Sequence, residues 1–143
     1  MEKRRSALVQ TFVVDASVAA GWFIADEANP YSNHVLKASM ALGAVVPDLF
    51  WHEMRSLLTI AARRKRIVLE DVATSMTRLR ELEITTVTGQ EDGRILELIA
   101  RYQLSAYDAA YLALSLEENL ELATLDKQLI AAAPSAGCSL VRA

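Results

Sequence analysis

The stretch LSAYDAAYLALSLEENLELATLDKQL, Leu104 to Leu129, constrains the fold more than any other part of the chain. It predicts a helix that is apolar almost all round, followed by a short strand that ends on an acid. Ser105 stands three residues before Asp108 and directly before an apolar run, the spacing of an N-cap hydroxyl and an acidic N3 partner. Ala109, Ala110, Tyr111, Leu112, Ala113, Leu114 and Leu116 leave the helix little polar surface, so it must be covered on several sides. Glu117, Glu118 and Asn119 stop it. Leu120 to Leu125 is too short for a helix and reads as a strand. Asp126 follows at its carboxyl end, the end at which open parallel sheets bind ligands.

The same grammar runs through the rest of the chain. Thr11 to Val14 is β-branched and aromatic, a buried strand that ends on Asp15. Ser17 caps a short helix to about Ile24, and Asn29 followed by Pro30 gives an N-cap and N1 pair for a second helix to Leu42. Gly43 closes it, Ala44 to Val46 form a strand, and Pro47 and Asp48 open a longer helix to about Arg64. Leu49, Glu53, Leu57 and Ile60 share one face of that helix, which places Glu53 in an apolar stripe, where a carboxylate needs a partner. A helix over Glu70 to Leu82 and a strand over Ile84 to Val87 follow, and Thr88 with Glu91 repeats the capping-box spacing before a helix to Tyr102. Lys127 to Ala133 and Ser139 to Val141 supply a last helix and strand. Helical pairs alternating with short strands predict an α/β fold, a parallel sheet covered on both faces with right-handed crossovers.

With 143 residues and 52% hydrophobic content, the expectation is a single domain over residues 1–143. No run of ~18 apolar residues suggests a membrane span, so a soluble protein is expected. The basic start MEKRRSALVQTFVVD resembles a signal peptide, but Gln10, Thr11 and Asp15 break its apolar stretch, and it reads as a ragged start before the first strand. Cys138 is the only cysteine, which excludes an internal disulfide or a thiolate zinc cage and suits a reducing cytoplasm. A formal charge of -3 argues against a protein that coats nucleic acid. It leaves room for a nuclease with acids in its pocket and a local basic rim, for which Arg63, Arg64, Lys65 and Arg66 are the candidates. A solvated helix end explains that cluster equally well.

Asp15 and Asp126 end strands, Asp108 begins a helix and Glu53 lies along another. Each has an ordinary explanation: an Asx turn for Asp15, a helix cap for Asp108 and for Asp126, an arginine-paired core acid for Glu53. Acids are 18 of 143 residues, so four such positions fill by chance roughly once in four thousand tries, and joint function is the better reading. Crowded carboxylates repel by ~4 kcal/mol per pair at 4 Å and an effective dielectric of 20. An oxygen-only donor set selects Mg²⁺ or Mn²⁺ to offset this, and such ions serve phosphoryl chemistry.

Four motifs, VVDASV (Val13 to Val18), VPDLFWHE (Val46 to Glu53), LSAYDAAYLALS (Leu104 to Ser115) and LATLDKQL (Leu122 to Leu129), occur in that order. Together they resemble a PIN-domain ribonuclease, with spacing and length similar to the VapC toxins of toxin-antitoxin pairs. The resemblance covers nearly the whole chain, and the two C-terminal motifs are its most specific part. It implies an α/β/α sandwich of strand order 3-2-1-4-5, with Asp15, Glu53, Asp108 and Asp126 as the four acids of the metal site. It further implies Mg²⁺-dependent cleavage of RNA, a homodimer, and a cognate antitoxin over the active groove.

One departure is Ser56, where many relatives carry Asn three residues after the helical Glu; a hydroxyl reaches less far than an amide. Ser17 and Thr124 lie beside the strand-end acids and could supply hydroxyls to the same shell, though ordinary capping explains Ser17 about as well, and neither is assigned. His34 and His52 match no motif and read as surface residues; Trp22, Phe23, Phe50 and Trp51 read as core or dimer contacts. A haloacid-dehalogenase phosphatase would need a second Asp where Ser17 stands, and a receiver domain an adjacent acidic pair after the first strand. The remaining alternatives are an inactive PIN-like scaffold that binds a partner and a solitary RNA-processing nuclease.

Overall fold

Aromatic and β-branched residues Phe12–Val14 form β1, and Ala44–Pro47 form β2 beside it, with Val13 opposite Val45. In the computed structural model, which describes residues 10–143, every residue of both strands is buried. Successive side chains of a strand point to opposite faces, so the sheet is covered above and below, in three layers. β3 (Ile84–Val87) pairs outside β2, and β4 (Glu121–Ala123) pairs with the other side of β1. All pairings are parallel and the order is β3-β2-β1-β4.

The expected fifth strand, Ser139 to Val141, is reduced to one bridge between Leu140 and Leu122. The last helix runs to Ser135, past the expected Ala133, and Gly137 at φ 88° then turns the chain. The segment after it still serves the sheet edge: Leu122 N–H donates to Ser139 O, and Val141 N–H to Leu122 O.

The helices are α1 (Ala16–Phe23), α2 (Pro30–Leu42), α3 (Leu49–Arg63), α4 (Glu70–Glu81), α5 (Asp92–Tyr102), α6 (Ala106–Glu118) and α7 (Lys127–Ser135), with a 3₁₀ turn at Ala25–Glu27. The start of α2 is as expected, since Asn29 accepts a 2.9 Å bond from Ser32 N–H. It ends at Gly43 with φ 75°, where a Cβ would lie 2.9 Å from Glu83 O, so no larger residue fits without a shift. α6 also starts as expected, with Asp108 N–H donating to Ser105 Oγ at 3.1 Å, and Asn119 ends it in the left-handed conformation. Every residue from Ala109 to Ser115 is buried, and α6 lies against β1, β2 and β4. Tyr111, Leu112 and Leu114, all fully buried, each contribute on the order of 2 kcal/mol through burial. α6 is therefore anchored across the sheet.

Three local expectations are corrected. Ser17 is not an N-cap: Asp15 holds that position of α1, and the Ser17 hydroxyl turns to the Asp15 carboxylate. Thr88 caps nothing, because α5 begins at Asp92 with Glu91 at its N-cap. The core face of α3 is Phe50, Trp51, Met54, Leu58 and Ala61, whereas Leu49, Glu53 and Leu57 are half-buried and Ile60 is 38% exposed. The larger side chains win the core, and the expected stripe is displaced by one residue, ~100° of helix rotation. Glu53 consequently sits at the margin of the core.

Phe50 and Trp51 are buried, and Trp51 Nε1 donates to Thr86 Oγ1 at 2.8 Å beneath the Arg80 guanidinium. Trp22 and Phe23 are partly buried, and His34 and His52 are exposed. Among the described residues no helix is long and apolar enough to cross a membrane. The basic start read above, up to Val9, lies outside the described residues.

Candidate functional site

The chain builds outward from β1 to β2 and β3, then returns to place β4 on β1's other flank. This reversal opens a crevice beyond the carboxyl ends of β1 and β4, the topological switch point of an open α/β sheet. Asp15 follows β1 directly, and its own N–H continues the ladder to Ala123 O at 3.0 Å. Asp126 lies three residues past β4, α3 brings Glu53, and the first turn of α6 brings Asp108. All four acids line one cleft of about 290 Å³, together with Ala16, Ser17, Ser56 and Leu57.

Each acid is held differently. Asp15 Oδ2 accepts from Ser17 Oγ and from Thr124 Oγ1, both at 2.7 Å. The two hydroxyls in turn accept from the loop after β4, Ser17 Oγ from Leu125 N–H and Thr124 Oγ1 from Asp126 N–H, each at 3.0 Å. The ends of β1 and β4 are thereby locked to each other through one carboxylate. Asp126 Oδ1 caps α7, accepting from Gln128 N–H at 3.0 Å and Leu129 N–H at 3.1 Å. Its capping and cleft positions are compatible, since the cap engages one oxygen. Glu53 Oε1 accepts a 2.6 Å bond from the Tyr111 hydroxyl, so the partner of this acid is a phenol and not the arginine considered from sequence. Ser56, one turn beyond Glu53 on α3, lines the cleft and is exposed.

Burial dominates the electrostatics of the site, and like charge adds to it. Burial pushes the Asp15 carboxyl up, against the pull of the Ser17 and Thr124 hydroxyls. Burial also raises Glu53, opposed by the Tyr111 hydrogen bond and reinforced by Asp15 and Asp108. Asp108 is pushed up to about 6, first by burial and then by the charges of Asp126 and Asp15. Among the described residues, no lysine or arginine lines the cleft. Arg66, one of the cluster proposed as a basic rim, is instead paired with Asp26 and Glu27.

A stability trend follows from Asp108. Its folded-state value, about 6, lies above the ordinary aspartate value of 3.8, so between these limits the native state binds more protons than the unfolded state. Stability from this group is complete below the lower value and is lost as pH rises through the upper one. Metal-free protein should therefore melt higher at pH 5 than at pH 7 by a few degrees, on the order of 1 kcal/mol after solvent screening of a half-exposed group. Asp108→Asn should flatten the rise, and a slope identical to wild type in thermal melts would contradict the assignment.

Among the described residues no three acids, histidines or cysteines stand close enough to enclose a cation unaided. The donor chemistry nonetheless suits a hard divalent ion, since among the described residues the cleft offers carboxylates and hydroxyls and no nitrogen or sulfur side chain. Mg²⁺ commonly binds through one or two carboxylates while retaining waters and substrate phosphate oxygens. An open acidic cleft fits that mode.

Sequence reasoning left Ser17 and Thr124 unassigned and treated Tyr111 only as part of an apolar run. For Tyr111 a signal existed: it lies three residues after Asp108, on the same face of α6.

A three-layer α/β/α unit with acids gathered at the β1/β4 switch point defines the class of protein. The sequence matches the family model of the PIN domain over residues 12–134, and the chain belongs to that family. Two solved structures are similar in fold. PAE2754 from Pyrobaculum aerophilum superposes with a TM-score of 0.65 at 20% identity, over 86% of this chain and 79% of that one. A toxin-antitoxin complex from Klebsiella pneumoniae gives a TM-score of 0.61 at 17% identity, over 92% of this chain and 97% of the matched one. No curated protein matches the sequence.

Proposed function

We propose that this chain is a Mg²⁺- or Mn²⁺-dependent endoribonuclease, the toxin of a type II toxin-antitoxin pair. The single observation that carries this reading is the convergence of four acids from four separate elements on a cleft that, among the described residues, has no lining lysine or arginine. Membership of the PIN domain family supports a hydrolase acting on nucleic acid. The fold match to a chain of a toxin-antitoxin complex supports an antitoxin partner. The reading includes a homodimer in the cytoplasm, on a single PIN-like domain.

A divalent cation, when bound, supplies a Lewis acid that activates water and offsets charge on phosphate oxygens. Asp15, Glu53, Asp108 and Asp126 are the residues that would hold it. Asp15 is fixed by the Ser17 and Thr124 hydroxyls, Glu53 by Tyr111 and Asp126 by its capping bonds. Asp108 is near half-protonation at about pH 6 in the metal-free cleft, so acidification should compete with cation binding there.

Cleavage of RNA by purified protein across a Mn²⁺ titration tests the proposal. Metal-dependent cleavage supports it, whereas protein that binds an antitoxin but cuts at no metal concentration would be a partner-binding scaffold. Metal-dependent cleavage without a small antitoxin gene alongside would instead favour a solitary processing nuclease.

A second expectation concerns the basic cluster. With Arg66 paired, Arg63, Arg64 and Lys65 remain exposed at the end of α3. Arg64 lies eleven residues beyond Glu53, ~16 Å along the helix at 1.5 Å per residue, a reach of a few nucleotides. Arg64→Ala with Lys65→Ala should weaken RNA binding and reduce the salt slope by about 1 to 2, as expected for lost phosphate contacts. An unchanged slope in binding titrations would return the cluster to a solvated helix end.

A further inference from the structure

Tyr111 is fully buried, yet its hydroxyl reaches the margin of the acid cleft and donates to Glu53 Oε1 at 2.6 Å. It projects from the same face of α6 as Asp108. One helix therefore carries one cleft acid and grips a second that belongs to α3. That helix is also the one packed across β1, the strand that delivers Asp15. Glu53 lies outside the core face of α3, and among the described residues no lysine or arginine stands beside it in the cleft. A glutamate at such a margin has several rotatable bonds with little packing to fix them. The bond to Tyr111 supplies the missing restraint and refers Glu53 to the frame that holds Asp15 and Asp108.

We infer that Tyr111 is a positioning residue, whose hydroxyl holds Glu53 in the orientation in which it meets a divalent cation in the cleft. This rests on the metal-dependent reading proposed above. The competing explanation runs the other way: a buried tyrosine needs an acceptor, and Glu53 merely serves as one. Hydrogen bonds that orient ligating carboxylates typically govern 10- to 100-fold in metal affinity or activity, so the two explanations differ measurably.

Mn²⁺ titration of the chelator-treated full chain, read by the electron paramagnetic resonance of free Mn²⁺, separates them. Tyr111→Phe keeps the ring and its packing and removes only the hydroxyl. It should bind Mn²⁺ about tenfold more weakly than wild type. In a Glu53→Gln background the same change should alter affinity less than twofold, because its route of action is gone. Equal affinity of Tyr111→Phe and wild type would overturn the inference and leave the metal reading standing. An equal loss in both backgrounds would also overturn it, since Tyr111 would then act by a route other than Glu53. Absence of saturable Mn²⁺ binding in wild type would remove the metal reading itself, and the inference with it.

Discussion

Asp15→Asn is expected to lower RNA cleavage by more than about a hundredfold, beyond the range typical of residues that only orient a metal ligand. The fold should survive. Asn has nearly the same shape, and its amide oxygen can accept from the Ser17 and Thr124 hydroxyls that now hold Asp15 Oδ2. Asp15 is also 5% exposed, and burial disfavours its charge, so a neutral replacement removes a cost from the metal-free native state. Lost activity with retained melting behaviour is thus the signature of a ligand, as opposed to a structural acid. Asp108→Asn should give the same result. Cleavage assays on both purified variants, beside their melting curves in chelator, provide the measurement; wild-type turnover in both would end the assignment of these acids to the chemistry.

The second large effect is on stability. In the metal-free protein, charge from Asp126 and Asp15 acts on Asp108, and charge from Asp15 and Asp108 acts on Glu53. Excess Mn²⁺ should raise the melting temperature through selective binding to the folded state, by ~2.7 kcal/mol at 100 times the dissociation constant. For a chain of this size that is about 8 °C, at roughly 3 °C per kcal/mol. Asp108→Asn should be at least as stable as wild type in chelator, because one like charge has gone, and should gain much less from metal. The N-cap of α6 does not confuse the comparison: Ser105 accepts from the backbone N–H of residue 108, which Asn retains. A purely capping role for Asp108 would instead cost up to ~1 kcal/mol irrespective of metal. Equal metal response in the two proteins would show that Asp108 is no ligand.

Much of this molecule is decided locally. The starts of α2 and α6 follow from Asn29–Pro30 and from Ser105, because a cap is an interaction between residues three apart in the chain. The strands β1, β2 and β4 follow from short, mostly apolar runs that cannot complete a helix and β3 from the β-branched run Ile84–Val87, and the acids after β1 and β4 are visible as punctuation. Where several local signals compete, sequence is a weaker guide. Thr88 and Glu91 have the spacing of a capping box, but the chain leaves β3 in another direction and α5 starts after Glu91. The α3 stripe through Glu53 was offset from the core face, since the volumes of Phe50, Trp51 and Met54 outweigh a regular spacing of smaller apolar positions. The fifth strand is a single bridge between Leu122 and Leu140, an outcome that the short apolar run by itself does not decide.

The pairings within the site are made by the tertiary structure. Ser17 and Thr124 are 107 residues apart in the chain, and Glu53 and Tyr111 are separated by 58. No periodicity links such pairs. They meet because the parallel order β3-β2-β1-β4 sets the carboxyl ends of β1 and β4 side by side, and because α6 lies across both strands. Sequence determined which acids end or begin elements; the crossover of the chain past β1 decided that they share one cleft, and which neutral hydroxyls hold them there.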